Sequence, residues 1–354
     1  MNYSEEFFFK MKFTDAIHAA TQYILESQPE SYVIGLGVSY PNGADGTMGM
    51  LKSKFPTRIF DTPVSEAAVT GVAIGSAITG KKPIVHHGRV EFALFAADQI
   101  ITQASKWNYM FGGDYNVPIT FRIAVGRQWG NGPQHTQALY SLFGNVTGLK
   151  VVIPSSPNSA KKLLIAACLD PNPVVFLEPR WLYQLEGFVA DDNSPMALDK
   201  ARIVKSGSDI TFVSYGDGLI PAFQAATALS DYGISVEVVD LVSINPIDYE
   251  TISKSVSKTE KILTIDTTNN AFSIGSELIG KLMQEANLNK ILFAKSMSTP
   301  NVPCPTAPSL TGSYYPTKSS ILNETLSIFG QEKIKVDESF EELHIAPKID
   351  CPYE

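Results

Sequence analysis

The chain has 354 residues, which is enough for about two domains with separate hydrophobic cores. Its net charge of -8 argues against a nucleic-acid surface, because phosphate binding needs clustered lysine and arginine and the chain has no basic run. No apolar run reaches the roughly 18 residues of a membrane-spanning helix. The first residues lack the layout of a signal peptide, so we expect a cytoplasmic protein. The three cysteines are far apart and odd in number, which gives neither a disulfide framework nor a metal-binding spacing.

Strands and helices alternate along the whole sequence, which predicts an α/β fold with mainly parallel sheets. In the first half, the sequence pattern predicts helices over residues 11–26, 65–80 and 92–110 and strands over residues 32–37, 83–86, 117–125, 150–154 and 173–178. Residues 184–200 are rich in Gly, Asp, Asn, Ser and Pro, a composition that is typical of a linker or a surface crossing.

A second series of alternating elements follows this stretch. It consists of predicted strands over residues 210–215, 235–241, 261–265 and 290–295 and helices over residues 220–231, 248–256, 273–285 and 317–329. We therefore predict two domains, residues 1–190 and 201–330, each a mainly parallel sheet flanked by helices, with a linker over 191–200. Residues 331–354 form an acidic, proline-containing tail, which is either an ordered arm or a flexible end.

Seven short motifs occur in a fixed order along the chain. They are DTPVSE (61–66), DQ (98–99), YMFGG (109–113), QHTQ (134–137), GLKVVIP (148–154), DPNPV (170–174) and VPCP (302–305). Together they resemble the β subunit of the thiamin-diphosphate-dependent 2-oxo acid dehydrogenases, the E1 β family, and the resemblance covers about residues 12–330. One such motif alone is a weak signal, whereas this number in the right order is a strong one.

The resemblance implies a division of labour between subunits. The first domain is expected to bind the aminopyrimidine of thiamin diphosphate, and the second to be a transketolase-type C-terminal domain. The diphosphate and its Mg²⁺ are expected on an α-type E1 partner in an α2β2 assembly, with the active site between the subunits. A lipoyl acyltransferase is then a further expected partner.

The resemblance gives Glu66 a catalytic role in cofactor activation. In this family, C2 of the thiazolium loses its proton to the cofactor's own 4′-imino group. A carboxyl group with a raised pKa, held against pyrimidine N1′, makes that tautomer available. Glu66 occupies the position of that carboxyl group. Without the resemblance, Glu66 is an ordinary first-turn helix acid, favoured by the helix dipole and preceded by Ser65 as the cap.

Three further family positions fall on Phe92, Val64 and His135. The resemblance implies that Phe92 stacks on the pyrimidine, that Val64 packs nearby and supports the bent cofactor, and that His135 donates a hydrogen bond to the substrate carboxylate or the forming intermediate. From the residues alone, Phe92 and Val64 are equally well explained as core side chains, and His135 as a structural or exposed histidine.

Two segments near these positions depart from the family by adding polar residues. Residues 126–132 read GRQWGNG, so Arg127 and Trp129 add a cation and a large ring close to the expected substrate path. Residues 86–89 read HHGR, and His86 and Arg89 suggest a more polar or anionic substrate. The alternative for both segments is an ordinary surface loop.

A structural monovalent cation, such as K⁺, is bound in related chains at the turn that matches residues 167–172 here. Ala167, Asp170 and Asn172 are the candidate ligands, largely through main-chain oxygens. A helix-ending Asp-Pro-Asn-Pro turn explains the same residues without an ion.

Other departures leave the acceptor open. The chain reads Gly-Val-Ser at 37–39, where the family has acids, and Asp-Thr-Thr-Asn-Asn at 266–270, where the family has a Glu-rich strand end. A divergent member could add its activated aldehyde to another carbonyl, as a transketolase-like or acyloin-forming carboligase does. A non-catalytic regulatory subunit is the remaining alternative, and the retained Glu66, Phe92 and His135 argue against it.

One motif points to a different reading of the chain. Gly216-Asp217-Gly218 precedes Asn245 by nearly the spacing of the thiamin Mg-diphosphate motif, which would make a self-contained homodimeric enzyme. However, the motif lies in the second domain, and Pro246 replaces the second expected Asn. We interpret the match as coincidence.

Overall fold

Two separate sheets form the frame of the protein. The computed structural model describes residues 8–127, 130–284, 291–335 and 350–353. The strands are β1 (Phe8–Lys12), β2 (Ser31–Gly35), β3 (Ile59–Asp61), β4 (Lys82–His87), β5 (Thr120–Val125), β6 (Lys150–Val152), β7 (Val174–Pro179), β8 (Glu186–Ala190), β9 (Arg202–Lys205), β10 (Ile210–Ser214), β11 (Val236–Asp240), β12 (Ser243–Asn245), β13 (Lys261–Asn269) and β14 (Phe293–Thr299). The helices are α1 (Phe13–Ser27), α2 (Leu51–Lys54), α3 (Glu66–Ile78), α4 (Val90–Ala93), α5 (Ser105–Met110), α6 (Tyr140–Gly144), α7 (Pro157–Leu169), α8 (Leu219–Leu229), α9 (Tyr249–Thr259), α10 (Ile274–Gln284), α11 (Pro308–Thr311) and α12 (Lys318–Ile328).

Both sheets are mainly parallel, which confirms the predicted α/β class and the two-domain organisation. The first has the strand order β12-β6-β7-β5-β4-β2-β3, and the second has the order β14-β13-β10-β11-β9. Within them, the only antiparallel pairs among the described strands are β12 with β6 and β9 with β11. Because parallel strands need crossover connections, helices cover the faces of the sheets, and the strands are apolar along most of their length.

The second domain contributes one strand to the first sheet. β12 pairs with β6 at the edge, although the sequence pattern predicts no element there. Nearby, the Ser155 hydroxyl donates to Asp240 Oδ2 across the same boundary at 2.6 Å. The two domains are therefore joined by shared backbone hydrogen bonds and buried polar contacts as well as by the linker.

The helix predicted over residues 92–110 is an irregular helical rod. It begins at α4, passes through one 3-10 turn, continues as a π-helix over Asp98–Ala104 and ends in α5. The backbone angles at the junctions stay right-handed helical, so only the hydrogen-bond spacing changes. Such π segments are frequently found at functional sites, and this one begins six residues after Phe92.

Some predicted boundaries differ from the structure. β1 takes the first residues of the predicted helix 11–26, because it pairs antiparallel with β8, which lies inside the predicted linker stretch 184–200. No periodicity in the sequence announces this pairing. Parts of the predicted helix 273–285, the strand 290–295 and the tail 331–354 lie outside the described residues.

A buried ion pair crosses the centre of the first sheet. Arg122 on β5 donates from Nε to Glu178 Oε1 at 2.6 Å and from Nη2 to Oε2 at 3.1 Å, and both side chains are fully buried. Tyr183 and Thr47 complete the network, through hydrogen bonds of 2.9 Å to Glu178 and Arg122. Burial opposes the charge of Arg122, but the adjacent carboxylate outweighs it and raises the pKa of the guanidinium.

We expect Glu178→Gln to lower the free energy of unfolding by about 3 kcal/mol, because it leaves the guanidinium buried without a counter-charge. Urea denaturation of the full chain measures this change. The matched control is Glu250→Gln, since the pair of Glu250 with Lys254 is exposed, and its transition should coincide with the parent's. Equal midpoints for Glu178→Gln and the control would show that the buried pair is not stabilising.

Candidate active site

The predicted site residues follow the carboxyl ends of neighbouring parallel strands. Glu66 follows β3, Phe92 follows β4 and His135 follows β5. The carboxyl ends of parallel strands meet at one edge of a sheet, where ligands of α/β proteins bind. The fold therefore brings these three residues, which are distant in sequence, to one edge of the first sheet.

Glu66 is the first residue of α3 and is half-buried. Ser65 stands at the N-cap, but its hydroxyl makes no capping hydrogen bond, so the predicted side-chain cap does not form. Within the described chain, the Glu66 carboxylate has no hydrogen-bond or ion-pair partner, and none joins it to Phe92 or His135. A carboxylate at a helix N-terminus is stabilised by the helix dipole and here can accept a donor from outside the chain.

Phe92 and His135 are in direct contact. Their ring centroids lie 5.7 Å apart with an interplanar angle of 63°, an edge-to-face arrangement. Nδ1 of His135 is buried and has no hydrogen-bond partner among the described residues. One buried nitrogen without a partner is a group that a ligand or water can satisfy, which fits a binding role better than a structural one.

The backbone around His135 is held by the turn that begins α4. Arg89 donates from Nη1 to the His135 carbonyl, and Glu91 Oε1 accepts from the Gln137 amide at 2.9 Å. Burial and then the nearby charge of Arg180 lower the pKa of Arg89. Arg89, predicted as a substrate contact, therefore uses part of its guanidinium for a hydrogen bond within the chain.

His86 and its neighbour His87 lie inside the fold. His86 pairs in register with Arg122, and burial, followed by the charge of Arg122, lowers the pKa of His86 well below its usual value. His87 Nε2 lies 3.2 Å from the Thr70 hydroxyl on α3, and burial lowers its pKa to about 4. Both imidazoles are thus neutral at pH 7, so they offer an anionic substrate no positive charge.

Arg127 is nearly buried at the domain boundary. Its guanidinium carbon lies 3.8 Å from the centre of the Trp181 ring and 4.7 Å from that of Tyr315, and its Nε donates to Asp217 Oδ2 at 2.9 Å. This position differs from the open loop that the sequence suggests. Trp129, the other unusual residue of the segment, lies outside the described residues.

The Gly-Asp-Gly motif is occupied by contacts within the chain. Besides Arg127, Asp217 accepts from Thr267 Oγ1 at 3.0 Å, and Asn245 donates to the Val146 carbonyl at 3.0 Å. Gly216 has a positive φ of 53°, and a Cβ there would lie 3.0 Å or less from atoms of Ile153 and Pro179. Close packing against the first domain thus explains the glycine, in keeping with the interpretation that the motif is coincidental.

The turn of Ala167, Asp170 and Asn172 ends α7. Asp170 forms an ion pair with Lys150 and accepts from the Asn172 amide at 2.9 Å, while its own amide donates to the Ala167 carbonyl at 3.4 Å. Asn172 Oδ1 is buried without a partner in the described structure. Among the residues that the structure describes, no group of three or more His, Cys, Asp or Glu is arranged to hold a metal ion.

Val64 and several other large apolar side chains of the first domain are exposed. Val64 is 71% exposed and Tyr109 is 88% exposed; Val72 on α3 and Phe95 on the irregular rod are exposed as well. Val64 therefore does not pack in the core as a buried valine. A group of exposed apolar side chains is typical of a surface that another molecule covers.

Sequence analysis missed the residues that hold the site together. Glu91 contacts Gln137, and Trp181, Tyr315 and Asp217 contact Arg127, on either side of His135; all four lie far in sequence from the residue they contact. Signals existed for Glu91, which directly precedes Phe92, and for Asp217, which belongs to the Gly-Asp-Gly motif that the sequence analysis interpreted as coincidence. For the described part of the chain, no helix is both long and apolar enough to cross a membrane.

Known proteins resemble this chain over nearly its whole length. Residues 9–186 match the transketolase pyrimidine-binding domain family, and residues 199–321 match the transketolase C-terminal domain family. The acetoin:2,6-dichlorophenolindophenol oxidoreductase subunit beta of Bacillus subtilis is 38% identical over 287 residues, covering 80% of this chain and 83% of that one. The mitochondrial pyruvate dehydrogenase E1 component subunit beta of Saccharomyces cerevisiae is 34% identical over 327 residues, covering 90% and 89%.

Among solved structures, a split-gene transketolase that forms an inactive beta4 tetramer superposes with a TM-score of 0.72 at 20% identity, covering 91% of this chain and 99% of that one. This likeness concerns the fold. The sequence relatives show the family as well as the fold, because their identity exceeds 30% over most of both chains. The chain belongs to the family of E1 β subunits of the thiamin-diphosphate-dependent 2-oxo acid dehydrogenases.

Proposed function

We propose that the chain is the β subunit of a heteromeric enzyme that decarboxylates a 2-oxo acid and transfers the acyl or activated aldehyde group to an acceptor. The observation that carries the proposal is the convergence of Glu66, Phe92 and His135 at one sheet edge in a chain of this family. A regulatory subunit without catalysis has no need for a half-buried carboxylate without a partner or for the buried Nδ1 of His135.

The residues fit the aminopyrimidine half of thiamin diphosphate. When bound, the cofactor supplies a carbanion nucleophile that its own aminopyrimidine helps to generate. Glu66 holds a proton at pyrimidine N1′ through its free carboxyl group. The ring face of Phe92 stacks on the pyrimidine, and Val64, just before α3, packs against the cofactor. His135, fixed against Phe92, donates a hydrogen bond to the substrate carboxylate.

The site is completed by an α-type E1 subunit in an α2β2 assembly. Two observations support this part of the proposal. Asp217 and Asn245 of the diphosphate-like motif are engaged within the chain, so the diphosphate and Mg²⁺ need ligands from elsewhere. Exposed apolar side chains of the first domain, among them Val64 two residues before Glu66, support a surface for that subunit.

A K⁺ ion at residues 167–172 is a finer part of the proposal. The buried Oδ1 of Asn172, which has no partner in the described chain, supports such an ion, while the ion pair of Asp170 with Lys150 already supplies one cation.

For the acceptor, we propose the lipoyl group of an acyltransferase, as in a dehydrogenase. A carbonyl acceptor, as in a carboligase, is the outcome that would replace it.

The isolated chain should bind thiamin diphosphate poorly, because the diphosphate and Mg²⁺ ligands belong to the partner. Titration calorimetry in the presence of Mg²⁺ measures this binding, first with the chain alone and then with the chain assembled with an α-type E1 subunit. Micromolar binding by the chain alone would contradict the heteromeric assembly.

Glu66→Gln should lower the rate of proton exchange at C2 of the cofactor by about 10²–10⁴ in the assembled complex, because an amide cannot hold a proton at N1′. Deuterium exchange followed by NMR measures this step, and the urea transition of the variant should match the parent's. Glu250→Gln, an exposed glutamate on α9, is the control and should exchange normally. A parental exchange rate in Glu66→Gln would remove Glu66 from the mechanism.

His135→Asn should impair turnover of a 2-oxo acid more than cofactor binding. We expect kcat to fall by about 10²-fold while the cofactor dissociation constant changes by less than about threefold. Turnover is measured with pyruvate in three separate assays, with 2,6-dichlorophenolindophenol, a lipoyl domain and an aldehyde as acceptors. Turnover by the parent with the aldehyde alone would assign a carboligase, and no turnover with any acceptor would favour a regulatory subunit.

A further inference from the structure

The side chain of Arg127 contacts both domains. Trp181 follows β7 of the first sheet, and Tyr315 and Asp217 belong to the second domain. The guanidinium lies between the two rings and is hydrogen-bonded to the Asp217 carboxylate, with side-chain exposures of 11% for Arg127 and 3% for Asp217. Stacking of a guanidinium on aromatic faces and pairing with a carboxylate are both strongest when water is excluded. This arrangement is therefore a rigid contact between the domains.

Arg127 also stands at the start of the loop that carries His135. We define this loop by its described residues, 126, 127 and 130–137, and the Gly126 amide closes it by donating to the Gln137 carbonyl at 3.0 Å. The second domain meets the loop again at Gly132, where a Cβ would lie 2.8 Å from Thr306 Oγ1.

The other end of the loop is held by the first domain. Arg89 and Glu91 bind the backbone of His135 and Gln137, as described above. The loop is thus fixed between an anchor from each domain, and the anchor from the second domain is the pair of Arg127 with Asp217.

We propose that Asp217 is a positioning residue that acts through Arg127 to hold the loop, and with it the His135 imidazole, in place against Phe92. Neither Arg127 nor Asp217 contacts substrate. The second domain thereby shapes the active site of the first, and the Gly-Asp-Gly motif gains a role that involves no metal. The kinetic consequence rests on the proposed function, whereas the structural consequence does not.

This assignment differs in its consequences from a substrate-binding role for Arg127. If Arg127 bound an anionic substrate, its loss would raise KM and the loss of Asp217 would leave catalysis unchanged or improve it. If the pair positions the loop, either loss displaces His135 and lowers kcat. The two single substitutions should then lower kcat by similar factors. The double variant should have a kcat no lower than that of either single variant, because each single substitution already breaks the same contact.

The kinetic experiment compares Arg127→Gln, Asp217→Asn and the double variant in the assembled complex, with pyruvate and 2,6-dichlorophenolindophenol. We expect kcat to fall by about tenfold to a hundredfold in all three, because small displacements of catalytic groups are costly. The KM for pyruvate should change by less than about threefold. The matched control is Ser155→Ala, which removes another hydrogen bond between the domains, to Asp240, without touching the loop. Parental kcat in Asp217→Asn, or an equal fall in Ser155→Ala, would overturn the proposal.

Arg127→Lys provides a second variant if a neutral one fails to fold. It keeps the charge beside Asp217 but loses the planar group that stacks between Trp181 and Tyr315. We expect a fall in kcat smaller than that of Arg127→Gln. A parental kcat for Arg127→Lys with a raised KM would identify a simple cation site for substrate and overturn the positioning role.

Hydrogen–deuterium exchange gives a readout that needs no activity. In the full chain, amides of residues 130–140 should exchange faster in Arg127→Gln and Asp217→Asn and at the parental rate in Ser155→Ala. Unchanged exchange in Asp217→Asn would overturn the proposal even if activity fell. If the parent complex turns over no 2-oxo acid, the proposed function fails, and the exchange rates still decide whether the pair holds the loop.

Discussion

A buried arginine needs a partner of opposite charge, and this constraint determines how the central strands of the first domain are held together. Arg122 lies in the central strand of the seven-stranded sheet, where an unpaired guanidinium would be strongly destabilising. Glu178 supplies the charge from the adjacent strand β7, two residues beyond the residue that pairs with Arg122. Tyr183 and Thr47 satisfy the remaining hydrogen bonds of the pair. The network ties β5 and β7 to the loop that holds Thr47. It therefore fixes the carboxyl edge at which the candidate site lies.

The same strand leads into a second arginine with a different task. Arg127 is paired across the domain boundary, and β12 extends the first sheet with a strand from the second domain. These contacts explain why the C-terminal domain belongs to the architecture of the site although Glu66, Phe92 and His135 all come from the first domain. A boundary that shares hydrogen-bonded strands and a buried ion pair resists sliding, because any displacement leaves polar groups without partners.

The chemistry of the site depends on which polar groups have hydrogen-bond partners within the chain and which do not. The two neighbouring histidines, His86 and His87, are buried and neutral, and Arg89 binds backbone of the chain itself. Within the described chain, the Glu66 carboxylate and the Nδ1 atoms of His135 and His86 have no hydrogen-bond partner. Of these groups, Glu66 and His135 occupy the positions that the family resemblance proposes as catalytic.

The amino-acid sequence by itself determined the α/β class and the two domains, because hydrophobic periodicity encodes these features without long-range contacts, and its family resemblance pointed to Glu66, Phe92 and His135. It also contains an arginine, Arg122, in the apolar strand predicted over residues 117–125, and a buried arginine needs a partner of opposite charge. Only the tertiary structure decided that this partner is Glu178, that Arg127 pairs with Asp217, and that β12 joins the other domain's sheet. These pairings join residues that lie 56 to about 90 positions apart. They depend on how the strands and domains pack together, which no local pattern records.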